Sequence, residues 1–243
     1  VRAEQTTTKA QFSTGGSNID RNYFNLIPSV LINRKLGTAS SLNAGFTQRI
    51  KRPGIQRLNP FVDRSNPNFA SSGNPDLRPV LLNTFQVGYG FSKKISVNTG
   101  LEYSYTKNMD LKISTYNKET NITRITYENT GKLSALILNA NVNWPVTKRW
   151  TWQVNGNMAY FEGSGLVGDA EQTISRAVLN FFSSTNYGFD GNWRAGANIN
   201  YRSKGITQLQ GVSNAYASCS FSLNKDFSKS GFSVGAVVNN PFT

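Results

Sequence analysis

Apolar and polar residues alternate with a period of two along most of this chain, and few folds can accept that pattern. Phe85, Val87, Tyr89 and Phe91 fall on one side, against Thr84, Gln86, Gly88 and Gly90 on the other. Further on, Ile95, Val97, Leu101 and Tyr103 oppose Ser96, Asn98, Gly100 and Glu102. The same holds for Leu138, Ala140, Val142 and Trp144 against Asn139, Asn141 and Asn143, and for Trp193 to Tyr201 against Arg194 to Arg202. Such alternation predicts strands with one apolar and one polar face. About 11 strands follow from it, over residues 1–12, 21–34, 38–50, 80–92, 94–116, 121–145, 148–162, 174–189, 192–204, 209–224 and 230–239.

A soluble antiparallel sandwich alternates too, so the period alone does not choose between water and lipid. Three features choose lipid. Short connections, near Lys35 to Thr38, Ser92 to Lys94, Pro145 to Lys148, Asp190 to Asn192 and Asn224 to Ser230, alternate with longer or irregular ones. The latter fall near Ser13 to Asp20, Gln48 to Pro79, Tyr116 to Thr120, Glu162 to Ser175 and Ser203 to Gln208, the rhythm of a membrane barrel with short turns at one end. Trp144, Trp150, Trp152 and Trp193 all lie close to short turns, as an aromatic girdle at one interface requires. The central apolar face carries no charge, whereas Glu102, Arg194 and Arg202 fall on the other face. A basic residue facing lipid at the midplane costs about 2–4 kcal/mol, and the lumen is hydrated.

Composition closes other routes. The 243 residues are 38% hydrophobic, contain no histidine and hold one cysteine, Cys219, whose alternation with Ala217 and Phe221 sets it on the apolar face. Disulfides, histidine or thiolate metal sites and histidine-based triads are thereby excluded. No carboxylate pair or phosphate-cradling glycine loop stands out, so no catalytic residue, cofactor or enzyme activity is expected. A formal charge of +13 suits an anionic surface or ligand, and no nucleic-acid partner is expected. No apolar run reaches the ~18 residues of a spanning helix, and VRAEQTTTKA is not a signal peptide, so the sequence is expected to start within a longer protein. An odd number of antiparallel strands leaves an edge that lipid cannot satisfy. Residues 1–243 are therefore expected to be part of a larger barrel.

The segment Gln48 to Pro79, QRIKRPGIQRLNPFVDRSNPNFASSGNPDLRP, holds five of the eight prolines, with Asn59-Pro60, Asn66-Pro67, Asn74-Pro75 and Arg78-Pro79 breaking regular structure. It reads as a long folded loop anchored by Ile55, Leu58, Phe61, Phe69 and Leu77. Arg49, Arg52, Pro53, Leu58, Asn59, Pro60 and Phe61, then Gly73, Asn74, Pro75, Leu77 and Pro79, followed by the strand NTFQVGYGF, resemble the TonB-dependent receptor barrel. More narrowly they resemble the outer-membrane β-barrel family common in Bacteroidetes. Val80 and Gln86 stand where that family often has glutamate. The resemblance implies an all-β transmembrane antiparallel barrel segment within a barrel of about 22 strands, a bacterial outer-membrane location, and the 48–79 loop on the extracellular side. It also implies import of a bulky, scarce ligand, with outer-membrane lipid, a plug domain missing here and through it TonB as partners, and a surface lipoprotein as a further candidate. A non-transporting scaffold or adhesion barrel is the alternative. A soluble β-sandwich module is the second, and it requires the Trp150/Trp152 face to be buried.

Candidate ligand-loop residues are Arg49, Arg52, Arg57, Asn59, Arg64, Asn74 and Arg78. Six cations, with Lys51, stand against Asp63 and Asp76 in that segment, and arginine's planar fork suits carboxylate or phosphate. The blander reading has the same arginines pair across the rim or meet lipid phosphates, and surface charge clusters rarely mark a site. Glu102, Lys112, Arg194 and Arg202 are lumen-facing candidates for plug contacts or a permeation path. Tyr116 and Tyr127 are candidates for stacking on a sugar, against the plain preference of tyrosine for strands.

Overall fold

The computed structural model describes residues 1–12, 18–167, 170–208, 211–227 and 231–241. Its long strands are β1 (Arg2–Gln11), β2 (Asn18–Ile27), β3 (Ser29–Lys35), β4 (Ser40–Lys51), β6 (Val80–Ser92), β7 (Ser96–Asn117), β8 (Ile122–Pro145), β9 (Trp150–Val167), β10 (Ala170–Phe189), β11 (Trp193–Arg202), β14 (Tyr216–Phe227) and β15 (Phe232–Asn239). Three short strands, β5 (Phe69–Ser71), β12 (Gly205–Gln208) and β13 (Gly211–Ser213), and one helical turn, α1 (Ile55–Leu58), complete the described elements. The main sheet has 11 strands: ten antiparallel ones in the order β15-β14-β11-β10-β9-β8-β7-β6-β4-β3, and β5 added to β8. Residues β3 and β15 present throughout are exposed, as befits the two edges.

Directly opposed residues in an antiparallel ladder share a face, so the register shows what each face is made of. Ile32, Ala44, Val87, Leu101, Leu138, Met158 and Leu179 stand side by side across seven strands. One step up, Val30, Phe46, Phe85, Tyr103, Leu136, Tyr160 and Ala177 form a parallel row. All of these but the half-buried Ala44 and Phe46 are exposed: Leu101 keeps 49%, Leu138 48% and Met158 52% of its accessible surface. The opposite face carries Asn33, Asn43, Gly88, Gly100, Asn139, Asn157 and Asn180 in a single row. There Asn157 donates to Asn139 at 2.7 Å and Asn180 donates to Asn157 at 3.4 Å. An apolar exposed face and a polar carboxamide face invert the soluble arrangement and are those of a lipid-embedded barrel wall.

The apolar stretch also has the right height. On β9 the outward residues run from Trp150 and Trp152 through Val154 and Met158 to Tyr160, and the next is Glu162. That is the ~9–11 residues a tilted strand uses to cross hydrocarbon. A polar outward row, Gln48, Asn83, Tyr105, Ser134, Glu162 and Ser175, follows immediately. The alternative sandwich fails here, since Trp150 and Trp152 each keep 39% exposure and no described element packs over them.

Several sequence boundaries need correction. Within the expected irregular connection at Glu162 to Ser175, residues 162–167 and 170–175 are strand: β9 and β10 pair from Tyr187 opposite Trp150 up to Ala170 opposite Val167. Tyr116 to Thr120 is likewise the top of β7 and a tight turn, where Asn117 accepts from the backbone of Glu119 and Thr120 and Asn121 has φ 54°. β7 has 22 residues and β8 has 24, about twice the crossing length, so these hairpins rise beyond the bilayer as paired strands. The strand expected over 21–34 splits at Pro28, which has no N–H to give a ladder. β2 turns away to pair with β1, while β3 continues along β4 with Gln48 N donating to Pro28 O at 3.0 Å. The strand expected over 209–224 splits into β13 and β14, and β14 runs to Phe227. The connections expected at Ser13 to Asp20 and Asn224 to Ser230 lie partly outside the described residues.

Candidate functional site

The segment between β4 and β6 is built onto the wall. Pro53 ends β4, and Gly54, extended at ψ 151°, opens the single turn α1. Asn59, held extended at ψ 113° before Pro60, closes it. From there the chain crosses the β7–β8 hairpin, and β5 lies parallel to the free upper edge of β8, Phe69 to Ser71 opposite Thr123 to Ile125. Ser72 N donates to Ile125 O at 3.0 Å and Thr123 N to Asn68 O at 2.9 Å. The edge that β8 exposes above β9 is thus covered by a piece of the loop.

Polar contacts fix the loop elsewhere. Arg57, in α1, pairs with Asp110 of β7, whose side chain is 4% exposed, and its guanidinium lies 5.1 Å from the Tyr127 ring centroid. Lys51 approaches the same carboxylate at 3.8 Å. Asn74 Nδ2 donates to Tyr127 O at 2.8 Å, and its Oδ1 accepts from Asp76 N at 2.8 Å. The Arg78 backbone exchanges hydrogen bonds with the Asn129 side chain at 2.8 and 3.2 Å. Gly73 passes so close to α1 that a Cβ would meet Arg57 O at 2.5 Å and Asn59 O at 2.6 Å. Beneath, Leu77, fully buried, packs with Leu58 and Ile19, flanked by Ala10, Phe12 and Tyr127. This small core ties together the loop, the β1–β2 ribbon and β8. Arg52 pairs with Glu4 and donates to Thr6 at 2.9 Å, and Arg21 pairs with Asp76 at 2.5 Å. At the tip, the Ser65 hydroxyl and backbone N–H hold the Asp63 carboxyl below the ordinary carboxylate range.

The sequence candidates therefore divide. Arg52, Arg57, Asn59 and Asn74 are engaged within the chain, Asn59 by accepting from Phe61 N at 3.0 Å and from Gly73 N at 2.7 Å. Arg49, Arg64 and the Arg78 side chain are exposed and make no ion pair among the described residues. Tyr127 is covered by Arg57, which removes it as a stacking platform, whereas Tyr116 is exposed and donates to Asn121 at 2.7 Å. On the polar face, Glu102 accepts from Ser104 at 2.8 Å and Arg194 pairs with Asp226 at 2.8 Å. Lys112 and Arg202 are exposed. Sequence reasoning missed Asp110, Asn129 and Tyr127 as the loop's receiving surface. No local pattern marked them, because their loop partners lie more than 50 residues away in sequence.

At the opposite end of the sheet, the four tryptophans share the apolar face. Trp144 and Trp152 lie 6.2 Å apart between ring centroids, and Trp150 and Trp152 donate their indole N–H groups to Thr185 and Ser183 at 2.7 and 2.8 Å. Lys225 sits 5.1 Å over Trp193 and 5.6 Å over Phe227, with its ammonium bonded to Gly191 O.

Such a wall is that of a membrane β-barrel. The outer membrane protein β-barrel family model matches residues 1–243, and the chain belongs to that family, which locates it in the bacterial outer membrane. Among solved structures, the siderophore receptor PirA from Pseudomonas aeruginosa superposes with a TM-score of 0.67 at 16% identity, over 93% of this chain and 41% of that one. The ferric enterobactin receptor of the same organism gives 0.65 at 17%, over 91% and 35%, and the ferric yersiniabactin uptake receptor from Yersinia pestis 0.64 at 15%, over 98% and 36%. The chain spans well under half the length of these receptors. No curated protein matches the sequence.

Proposed function

We propose that the chain is the wall and rim of a TonB-dependent outer-membrane receptor that imports a bulky, scarce ligand, with a metal chelate as the first class to test. The observation that carries it is the inverted sheet, apolar outward and carboxamide-lined inward, in a fold shared with receptors for ferric enterobactin and ferric yersiniabactin. In this reading the sheet is part of a barrel of about 22 strands, closed across the edges β3 and β15 by the rest of the protein. A plug fills the lumen against Glu102, Lys112, Arg194 and Arg202, and TonB pulls on that plug. The loop after β4 faces the cell exterior, where Arg49, Arg64 and Arg78 attract an anionic ligand, and the tryptophans form the periplasmic girdle. The role is one of binding and passage, without catalysis.

The test uses the full-length protein in intact cells. A cysteine replacing Arg64 should react with a membrane-impermeant maleimide, one replacing Lys94 should not, and uptake of labelled ferric chelates should vanish when TonB is deleted. The reverse labelling would overturn the orientation. Correct labelling with no TonB-dependent uptake of any chelate, oligosaccharide or peptide would instead identify a scaffold or adhesion barrel.

A further inference from the structure

At the end of the sheet that carries the tryptophans, two neighbouring turns are basic. Lys93 and Lys94 lie in the β6–β7 turn, beyond the last ladder pair, Ser92 opposite Ser96, and Lys148 lies in the β8–β9 turn, beyond Pro145 opposite Thr151. All three are exposed and make no ion pair among the described residues. The acids of the next turns are already paired, Asp190 with Arg149 at 2.7 Å and Asp226 with Arg194 at 2.8 Å. Just inside the basic turns, on the polar face, Ser96, Asn98, Asn141, Asn143, Gln153 and Asn155 line a hollow of about 210 Å³. The register sets them in two rows, Ser96 beside Asn143 and Gln153, and Asn98 beside Asn141 and Asn155. One row further from the turns, Asn139, Asn157 and Asn180 hydrogen-bond to one another. The five carboxamides of the hollow are exposed and form no side-chain hydrogen bond among the described residues.

We propose that this hollow and its three lysines form a docking site for an extended acidic segment of a separate partner protein, which approaches from the turn side of the wall. A carboxamide carries a donor and an acceptor on one planar group, the complement of a peptide N–H and C=O. Two rows of them beside free lysines therefore meet a peptide backbone with the amides and its carboxylates with the ammonium groups. A small neutral solute would leave the lysines idle, and a simple anion would leave the carboxamides idle. Lipid phosphate is the other natural partner for cations at a membrane rim. It cannot use both halves of this site, because the carboxamides lie on the face opposite the lipid-facing row Val97, Val142 and Val154. The lysines stand beyond the ladder ends, so a partner outside the membrane reaches them without entering the barrel.

That the partner is periplasmic rests on the orientation proposed above. Binding in detergent depends on neither orientation nor import, so its failure and the failure of the transport reading are separate results. Full-length protein in neutral detergent, titrated with a fluorescein-labelled hexaglutamate peptide and followed by anisotropy, tests the site. Wild type should bind hexaglutamate saturably and prefer it to hexaglutamine and hexalysine. Lys93→Gln, Lys94→Gln and Lys148→Gln should each weaken binding about two- to fivefold, and Lys→Arg at the same positions should retain it. Asn141→Ala with Asn155→Ala should weaken binding while leaving its salt dependence unchanged. The triple Lys→Glu protein should bind hexalysine instead, a gain that a misfolded variant cannot imitate. Equal binding of hexaglutamine, or no loss in the triple Lys→Gln protein, would overturn the proposal. Displacement of hexaglutamate by an equal concentration of short-chain phosphatidylglycerol would assign the lysines to lipid. Protection of the three lysines from acetylation before any peptide is added would assign the site to the rest of the same protein, and either result would overturn a separate partner.

Discussion

Arg57→Ala should release the rim loop without unfolding the wall. The substitution leaves Asp110 with a side chain only 4% exposed and a single cation, Lys51, at 3.8 Å. Removing one partner of a fully buried pair costs about 3–5 kcal/mol. Arg57 is itself 42% exposed, so water reaches the vacated position and the expected cost falls to about 1–3 kcal/mol. The cation–π contact with Tyr127, at 5.1 Å, belongs to the same change. The long ladders of β6 to β10 do not depend on this contact, so the cost appears as local opening. Hydrogen exchange at Asn68 to Ser72 in the full-length protein should report an opening constant raised about 5- to 150-fold. Asp110→Asn should do less, since a neutral carboxamide is cheaper to leave partly unpaired, and adding Arg57→Ala to it should cost less than Arg57→Ala alone. If Arg57→Ala changes exchange by less than twofold while Leu77→Ala opens the loop, the ion pair is decoration on an apolar latch.

Leu77→Ala should weaken the same latch from beneath by about 2 kcal/mol, the low end for a buried leucine because its core is small. Limited proteolysis should then cut both the loop and the β1–β2 ribbon faster. Gly73→Ala drives a Cβ against two carbonyl oxygens of the loop's own backbone, and the same proteolysis should show α1 and β5 lost together. Leu138→Arg places a charge on the lipid face near mid-belt and should lower folding stability in lipid bilayers by about 2–4 kcal/mol. Asn139→Arg, one residue on and on the carboxamide face, should not. Asp63, with its lowered pKa, stabilises the tip turn above the ordinary carboxylate value, and that contribution is lost as pH falls through the lowered one. Exchange at Ser65 should rise only in that acid window.

The alternation announced the wall because it is a local signal: each strand declares its own faces, and Leu101, Leu138 and Met158 need no knowledge of each other to be read as lipid-facing. Above the belt the signal disappears. Both faces of a hairpin standing in water are polar, so Glu162 to Val167 and Ala170 to Ser175 carry loop-like composition while pairing residue for residue. The proline-rich segment was legible as a folded loop, but its partners were not. Asp110 lies 53 residues from Arg57 and Asn129 lies 51 from Arg78, and nothing in the local sequence marks either as a receiving surface.

That attachment changes what the basic loop can do. A swinging, arginine-rich arm would trade its surface charge for ligand contacts. Here Arg52 and Arg57 are already committed to Glu4 and Asp110, and β5 is stitched into the edge of β8. A ligand recruiting those two arginines would have to strip counter-ions from carboxylates whose side chains are 11% and 4% exposed. Arg49, Arg64 and Arg78 carry no such penalty. If the proposed receptor function holds, capture at this loop falls to those three cations, and a movement that admits a ligand is expected in elements other than this anchored loop.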